Sequence, residues 1–138
     1  MSGEYYVAAE LSRLGHIASI TLRNTRGIDI LCSNSDSSQQ VSIQVKTSKK
    51  GRNSWMLDRK SEEYYSPKHF YVFVLLNENQ HPKFFIVPSK IVANYIKTHH
   101  RAWLKIPSKS GEKHKDSSLR KFRDLEEKYL DRWDLLKL

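Results

Sequence analysis

Gly27-Ile28-Asp29-Ile30-Leu31 and, after a polar stretch, Val41-Ser42-Ile43-Gln44-Val45-Lys46 decide how this chain is read. An acid stands inside the first apolar run. An amide and a lysine stand two residues apart inside the second. There Val41, Ile43 and Val45 alternate with Ser42, Gln44 and Lys46, the period of two that belongs to a strand with one apolar face. Ile28 and Ile30 flank Asp29 in the same way. Residues 33–40, between the runs, include no apolar side chain and read as a hairpin loop. If the two strands pair, their polar faces coincide, and Asp29, Gln44 and Lys46 converge.

Upstream, residues 3–14 read as an amphipathic helix, with Val7, Leu11 and Leu14 at helical spacing, Ser2 able to cap the start and Gly15 a natural stop. Glu4 precedes Leu11 by seven residues, so it falls within about 20° of Leu11 around the helix. That places a carboxylate on the inward side, where it needs a partner. The alternative is a first turn open to water, with Glu4 favouring the helix dipole. Residues 17–22 read as a strand rich in β-branched side chains, and residues 23–26 as a polar turn.

Downstream, residues 47–54 form a basic, polar loop. From Lys46 to Lys60 there are six basic residues (Lys46, Lys49, Lys50, Arg52, Arg59 and Lys60) against Asp58 alone. The chain carries a net charge of +9, and its densest positive stretch thus follows Lys46 directly. Such a concentration points to a polyanionic partner. Trp55, Tyr64 and Tyr65 just beyond it suit core or edge packing better than base stacking.

Residues 54–57 suggest a short edge strand, and residues 58–68 an irregular insert. Residues 70–76 are nearly all apolar, the mark of a buried central strand. Residues 84–87 form another strand, stopped by Pro88, and Ser89 is placed to cap a helix through about His100. The adjacent His99 and His100 cannot share a helical face and make a poor metal site. Residues 101–106 read as a short strand or docking segment. Residues 107–118 read as a polar linker, and residues 119–138 as a second long helix whose Phe122, Leu125, Tyr129, Trp133 and Leu136 make a continuous stripe. This gives a domain over residues 1–106, a linker over 107–118 and a helix over 119–138 that docks on its own sheet or on a second copy. The fold class is α/β, a mixed sheet flanked by helices with an additional C-terminal helix.

With 138 residues the chain has the length of one domain. No apolar run approaches the roughly 20 residues that span a bilayer, and no signal-peptide pattern opens the chain. The single cysteine, Cys32, excludes disulfide scaffolding and cysteine-based zinc sites within one chain. A reducing, cytoplasmic setting follows as the expectation.

Hydrolysis of a phosphodiester needs a nucleophilic water at neutral pH and compensation of charge in the transition state, which a hard divalent cation held by one or two carboxylates can supply. Asp29 and Glu4 are the carboxylates on suitable faces. Gln44 offers an amide oxygen, Val45 a main-chain carbonyl, and Lys46 a positive charge.

In this order the residues resemble the PD-(D/E)XK nuclease superfamily, which includes restriction endonucleases and archaeal Holliday-junction resolvases. Its pattern is a glutamate in the first helix, an aspartate in the second strand and acid-x-lysine in the third. Glu4, in Gly3-Glu4 followed by Val7-Ala8-Ala9-Glu10-Leu11, is similar to the first. Asp29 in Gly27-Ile28-Asp29-Ile30 is similar to the second, and Gln44-Val45-Lys46 to the third, with Thr47-Ser48-Lys49 continuing as in resolvase-like members. The resemblance covers residues 3–48, and residues 70–100 look like further relatives of the same fold; nothing past Pro107 is matched.

The resemblance implies a restriction endonuclease-like sheet. It also implies a Mg²⁺- or Mn²⁺-dependent endonuclease on DNA, with RNA left open, and commonly a homodimer. Asp29, Gln44, Glu4 and Val45 would position the metal, and Lys46 would support the attacking water. Lys49, Lys50, Arg52 and Arg26 would hold phosphates. Gln44 departs from the pattern by removing one negative charge. That keeps open an inactive nuclease-fold protein acting as a nucleic-acid-binding or regulatory subunit.

Overall fold

The central strand is the one that carries Gln44 and Lys46. In the computed structural model, which describes residues 2–22, 27–49 and 51–138, the elements are α1 (Ser2–Arg13), β1 (Ile17–Ile20), β2 (Ile30–Ser33), β3 (Gln40–Lys49), β4 (Trp55–Asp58), β5 (His69–Asn77), β6 (Gln80–Pro88), α2 (Ser89–Lys105) and β7 (Leu119–Phe122). Short 3₁₀ turns occupy Arg59–Glu62 and Trp133–Leu136. A five-stranded sheet runs β1-β2-β3-β5-β6, and β4 and β7 make a second, two-stranded sheet. β3 and β5 are parallel, with Gln44 opposite Tyr71 and Lys46 opposite Phe73. The other pairs in the main sheet are antiparallel.

A parallel pair needs a long crossover, and the segment between β3 and β5 supplies it, with β4 on the way. The sheet is covered on both faces, which is why six consecutive residues of β5, His69 to Val74, are buried. On one face α1 contributes Val7 and Leu11 against Ile30, Cys32, Val41, Ile43, Val45, Val72 and Ile86. On the other, Val92 and Ile96 of α2 meet Tyr71, Phe73, Phe85 and Val87, together with Trp55, Leu57 and Phe122 from the small sheet. Trp55 is a core residue, its indole N–H donating to the Val74 carbonyl at 2.9 Å. The mixed α/β sheet expected from the sequence is therefore present. No helix among the described residues is long and apolar enough to cross a membrane.

α1 stops where expected. The Gly15 N–H donates to the Ser12 carbonyl and the His16 N–H to the Leu11 carbonyl, each at 3.0 Å, closing the last turn.

Three expectations are corrected. Ser89 is not the cap of α2. It is the first helical residue, behind Pro88, and its buried hydroxyl donates to the Ser66 carbonyl and accepts the Ser66 N–H, each at 3.0 Å. α2 continues through Arg101 to Lys105, so no strand forms there. The third correction is the largest: residues 119–138 form no α-helix.

β7 has alternating burial, Arg120 and Phe122 in, Leu119 and Lys121 out. The chain then follows the free edge of β6. The Ile86 N–H donates to the Tyr129 carbonyl at 3.0 Å, and the Asp131 N–H to the Phe84 carbonyl at 2.8 Å. Asp124 accepts the main-chain N–H groups of Lys128 and Tyr129. Glu127 and Asp131 adopt left-handed backbone conformations, φ 56° and 55°, that no α-helix contains. Edge groups of β6 that would otherwise lack partners are satisfied by this tail. The aromatic stripe is thereby divided: Phe122 and Tyr129 pack on the α2 side, Trp133 and Leu136 on the α1 side, and Leu125 stays exposed. Phe122 and Leu136 are buried within the chain, and Tyr129 and Trp133 are half-buried against it.

Candidate active site

β2 begins its pairing at Ile30, opposite Ile43, whereas β3 runs on to Lys49. Past Ile43 the β2-side edge of β3 therefore lacks a regular neighbour, and Asp29 fills the opening. Its main-chain N–H donates to the Ile43 carbonyl at 2.8 Å, and its Oδ2 accepts the Val45 N–H at 2.7 Å. Oδ1 carries no hydrogen bond among the described residues. The approach is fixed locally: the Thr21 hydroxyl donates to the Ile28 carbonyl at 2.6 Å, and the Thr21 N–H to the Asp29 carbonyl at 2.9 Å. Gly27, at φ 67°, turns the chain in a left-handed conformation against the Tyr64 ring, where a β-carbon would lie 3.0 Å from a ring carbon.

The carboxylate thus lies abreast of Val45, the residue between Gln44 and Lys46. Both of these are half-buried on the face shared with Tyr71 and Phe73. Neither the Gln44 amide nor the Lys46 ammonium has a hydrogen bond or ion pair among the described residues. Neither head is among the fully buried polar atoms, so both can be reached from solvent.

Glu4 arrives from the other side of β3. Gly3 packs so closely on this strand that a β-carbon there would collide with the Thr47 hydroxyl at 2.0 Å and meet Val45 at 3.4 Å. The first turn of α1 therefore sits over Val45 to Thr47, and Glu4, next in the chain, is half-buried. Lys49, at the end of β3, lines a cavity of about 610 Å³ with Ser2, Tyr6, Leu76, Asn77 and Glu78. Arg52 is exposed on a tight turn, its N–H donating to the Lys49 carbonyl at 3.0 Å and its carbonyl accepting the Ser48 hydroxyl at 2.8 Å. Arg26 and Lys50 lie outside the described residues.

Sequence reasoning missed His69. It is 3% exposed, and its Nδ1 is 2.7 Å from the Ser42 hydroxyl, on the same face as Gln44. Its Nε2 is buried without a hydrogen-bond partner among the described residues. Burial pushes the imidazole down to about 4, so it is neutral at pH 7. A histidine opening an apolar strand gave no sign of this, because the parallel register that sets Ser42 opposite His69 is not written in either strand alone. His99 and His100, set aside as a metal site, are engaged elsewhere, with the Tyr95 carbonyl and with Asp116.

No family model matches this chain, and no curated protein matches it. Among solved structures it is similar to a Holliday junction resolvase. That protein is Hjc of Archaeoglobus fulgidus, an archaeal hyperthermophile, 14% identical with a TM-score of 0.48, over 89% of this chain and 82% of that one. The likeness concerns the fold alone, and the reading of the site rests on its own residues. Among the described residues no group of three or more His, Cys, Asp or Glu is gathered to hold a metal.

Proposed function

We propose that this protein is a divalent-metal-dependent endonuclease that hydrolyses phosphodiester bonds in DNA. The observation that carries the proposal is the Asp29 carboxylate bonded to the Val45 N–H, between Gln44 and Lys46, whose side chains have no hydrogen bond or ion pair among the described residues. Asp29 Oδ1, the Gln44 amide oxygen, the Val45 carbonyl and Glu4 are all oxygen donors, the type that Mg²⁺ or Mn²⁺ accepts. A cation held there supplies positive charge to the phosphate and a nucleophilic water at neutral pH.

Asp29 has a fixed orientation, because the Val45 N–H holds one oxygen and leaves the other to a ligand. Lys46 places a second positive charge beside the phosphate, where it stabilises the charge that builds during attack. Lys49 and Arg52 neutralise phosphates of the bound strand, a role the sequence also gives to Arg26 and Lys50.

The test is cleavage of a DNA duplex with Mg²⁺ or Mn²⁺. Asp29→Ala and Lys46→Ala should each lower the rate by about a hundredfold or more. Equal cutting by all three proteins would assign the activity to a contaminant and end the proposal.

A second reading, a nuclease-fold nucleic-acid-binding subunit without turnover, is favoured by Gln44 itself, since one fewer negative charge weakens the hold on a hard cation. Gln44→Glu decides what the geometry is for. Tighter Mn²⁺ binding, measured by calorimetry, is the expected result, whether or not the natural protein cuts. Unchanged binding would mean that the residue does not face a cation at all.

A further inference from the structure

Away from Asp29, on the outer side of α2, the fold builds a second site that the cleavage reading does not use. A cavity of about 550 Å³ lies between the C-terminal half of α2 and β7, lined among others by Tyr95, His99, Trp103, Met56, Lys121 and Arg123. Its aromatic wall is built from stacked pairs. Tyr95 and His99 are 3.7 Å apart with an interplanar angle of 15°, and Trp103 and His114 are 4.0 Å apart at 18°. These stacks hold the rings in fixed planes. Trp103 is nevertheless 41% exposed, and Met56 and Leu119 stand out from the small sheet beside it.

The charge around this wall is one-sided. Residues 101–123 hold eight basic side chains against two acids, Glu112 and Asp116. Of the acids, Asp116 is paired with His100. Among the bases, Arg120 is turned inward to Glu62, while Lys121 and Arg123 are exposed at the cavity. Flat aromatic surface in fixed orientation, rimmed by cations that have no ion pair among the described residues, is complementary to one chemistry: a nucleobase out of its stack, with phosphates before and after it. A duplex would present only its phosphates and leave the rings unused. An acidic peptide would satisfy the cations and leave the flat surface equally unused. The volume lies in the range that holds one nucleotide-sized ligand.

We infer that the groove between α2 and β7 binds an unpaired nucleotide of a single-stranded nucleic acid, its base stacked in the aromatic wall at Trp103 and its phosphates on Lys121 and Arg123. This site is separate from the one at Asp29 and does not depend on cleavage.

The experiment uses the full chain with chelator present, so that nothing is cut. Binding of oligothymidylate, of oligouridylate and of an abasic oligonucleotide with the same number of phosphates is followed by fluorescence anisotropy. Oligothymidylate should bind about tenfold more tightly than the abasic strand. Trp103→Ala should remove that difference, while Trp103→Phe restores much of it. Lys121→Ala should weaken all three strands and reduce their salt dependence. Comparing thymidylate with uridylate shows whether the sugar matters. The readout needs no cutting, so a protein that never cuts still passes. The inference is overturned if the abasic strand binds as tightly as the others, if Trp103→Ala changes nothing, or if binding is lost through Lys46→Ala rather than Lys121→Ala. Trp103 lies outside both cores, so folding of the variants, checked by circular dichroism, should be unaffected.

Discussion

Arg120→Met should destabilise the protein by about 3–5 kcal/mol, read as a shift of the urea midpoint at unchanged slope. Arg120 and Glu62 are both largely withdrawn from water, with Nε donating to Oε2 at 2.5 Å. The guanidinium also donates to the Ser117 and Leu119 carbonyls, at 2.8 and 3.0 Å. Removing the arginine leaves a carboxylate in a poorly solvated place and two carbonyls without their donor, and that is where the penalty arises. The double variant Arg120→Met with Glu62→Leu should recover most of the loss, because no unpaired charge remains. Lys97 and Glu63 provide the contrast: they are 3.9 Å apart and solvated, and Lys97→Ala should move stability by no more than about 0.5 kcal/mol. A loss below about 1 kcal/mol for Arg120→Met would show that the pair is not load-carrying.

The second large effect is a loss of stability in mild acid caused by His69. Its imidazole sits at about 4 in the folded chain because burial opposes the charge, against roughly 6.5 when unfolded. Between those values the unfolded chain takes up a proton that the folded chain refuses. Stability from this group is therefore complete above pH 6.5 and falls as the pH drops toward 4, by about 3 kcal/mol in total. His69→Asn removes the titration while keeping a polar group for Ser42. Urea melts at pH 7, 5.5 and 4 should show the wild type losing stability toward the variant. Parallel pH profiles for the two proteins would contradict the assignment to His69.

The pairing of β2 with β3 was legible because each strand displays its pleat: Val41, Ile43 and Val45 go in, and the residues between them do not. That alternation puts Gln44 and Lys46 on one face of β3, and the Asp29 carboxylate accepts the N–H of Val45 between them. β5 was legible for the opposite reason, an apolar run too continuous for anything but a strand covered on both faces. The tail was not legible. Phe122, Tyr129, Trp133 and Leu136 have helical spacing, yet the same spacing serves a chain that leaves one core, crosses a sheet edge and enters the other. What decides between the two is the unsatisfied edge of β6, over forty residues away in sequence, as shown by the Phe85–Leu130 bridge. The partner of Arg120 was hidden likewise, 58 residues distant. Ser89 had the right chemistry for a cap, but a hydroxyl that can bond Ser66 across the fold does not remain a local signal.

The tail that closes the edge of β6 is tied to the rest by residues 107–118, an exposed polar strip with a tight turn in which the Gly111 N–H donates to the Ser108 carbonyl at 2.9 Å. Asp116 pairs with His100 and His114 stacks on Trp103 within that strip, but most of what holds the tail lies beyond it: the β4–β7 ladder, the Arg120 pair, the bridge to Phe85 and Leu136 in the α1-side core. Its covalent link contributes mainly effective concentration. A protease that nicks the strip would therefore leave two fragments still associated, and the shorter, supplied separately, would complete the larger by complementation. The protein is built as a body and a clasp, and the clasp is what lets both faces of the sheet close.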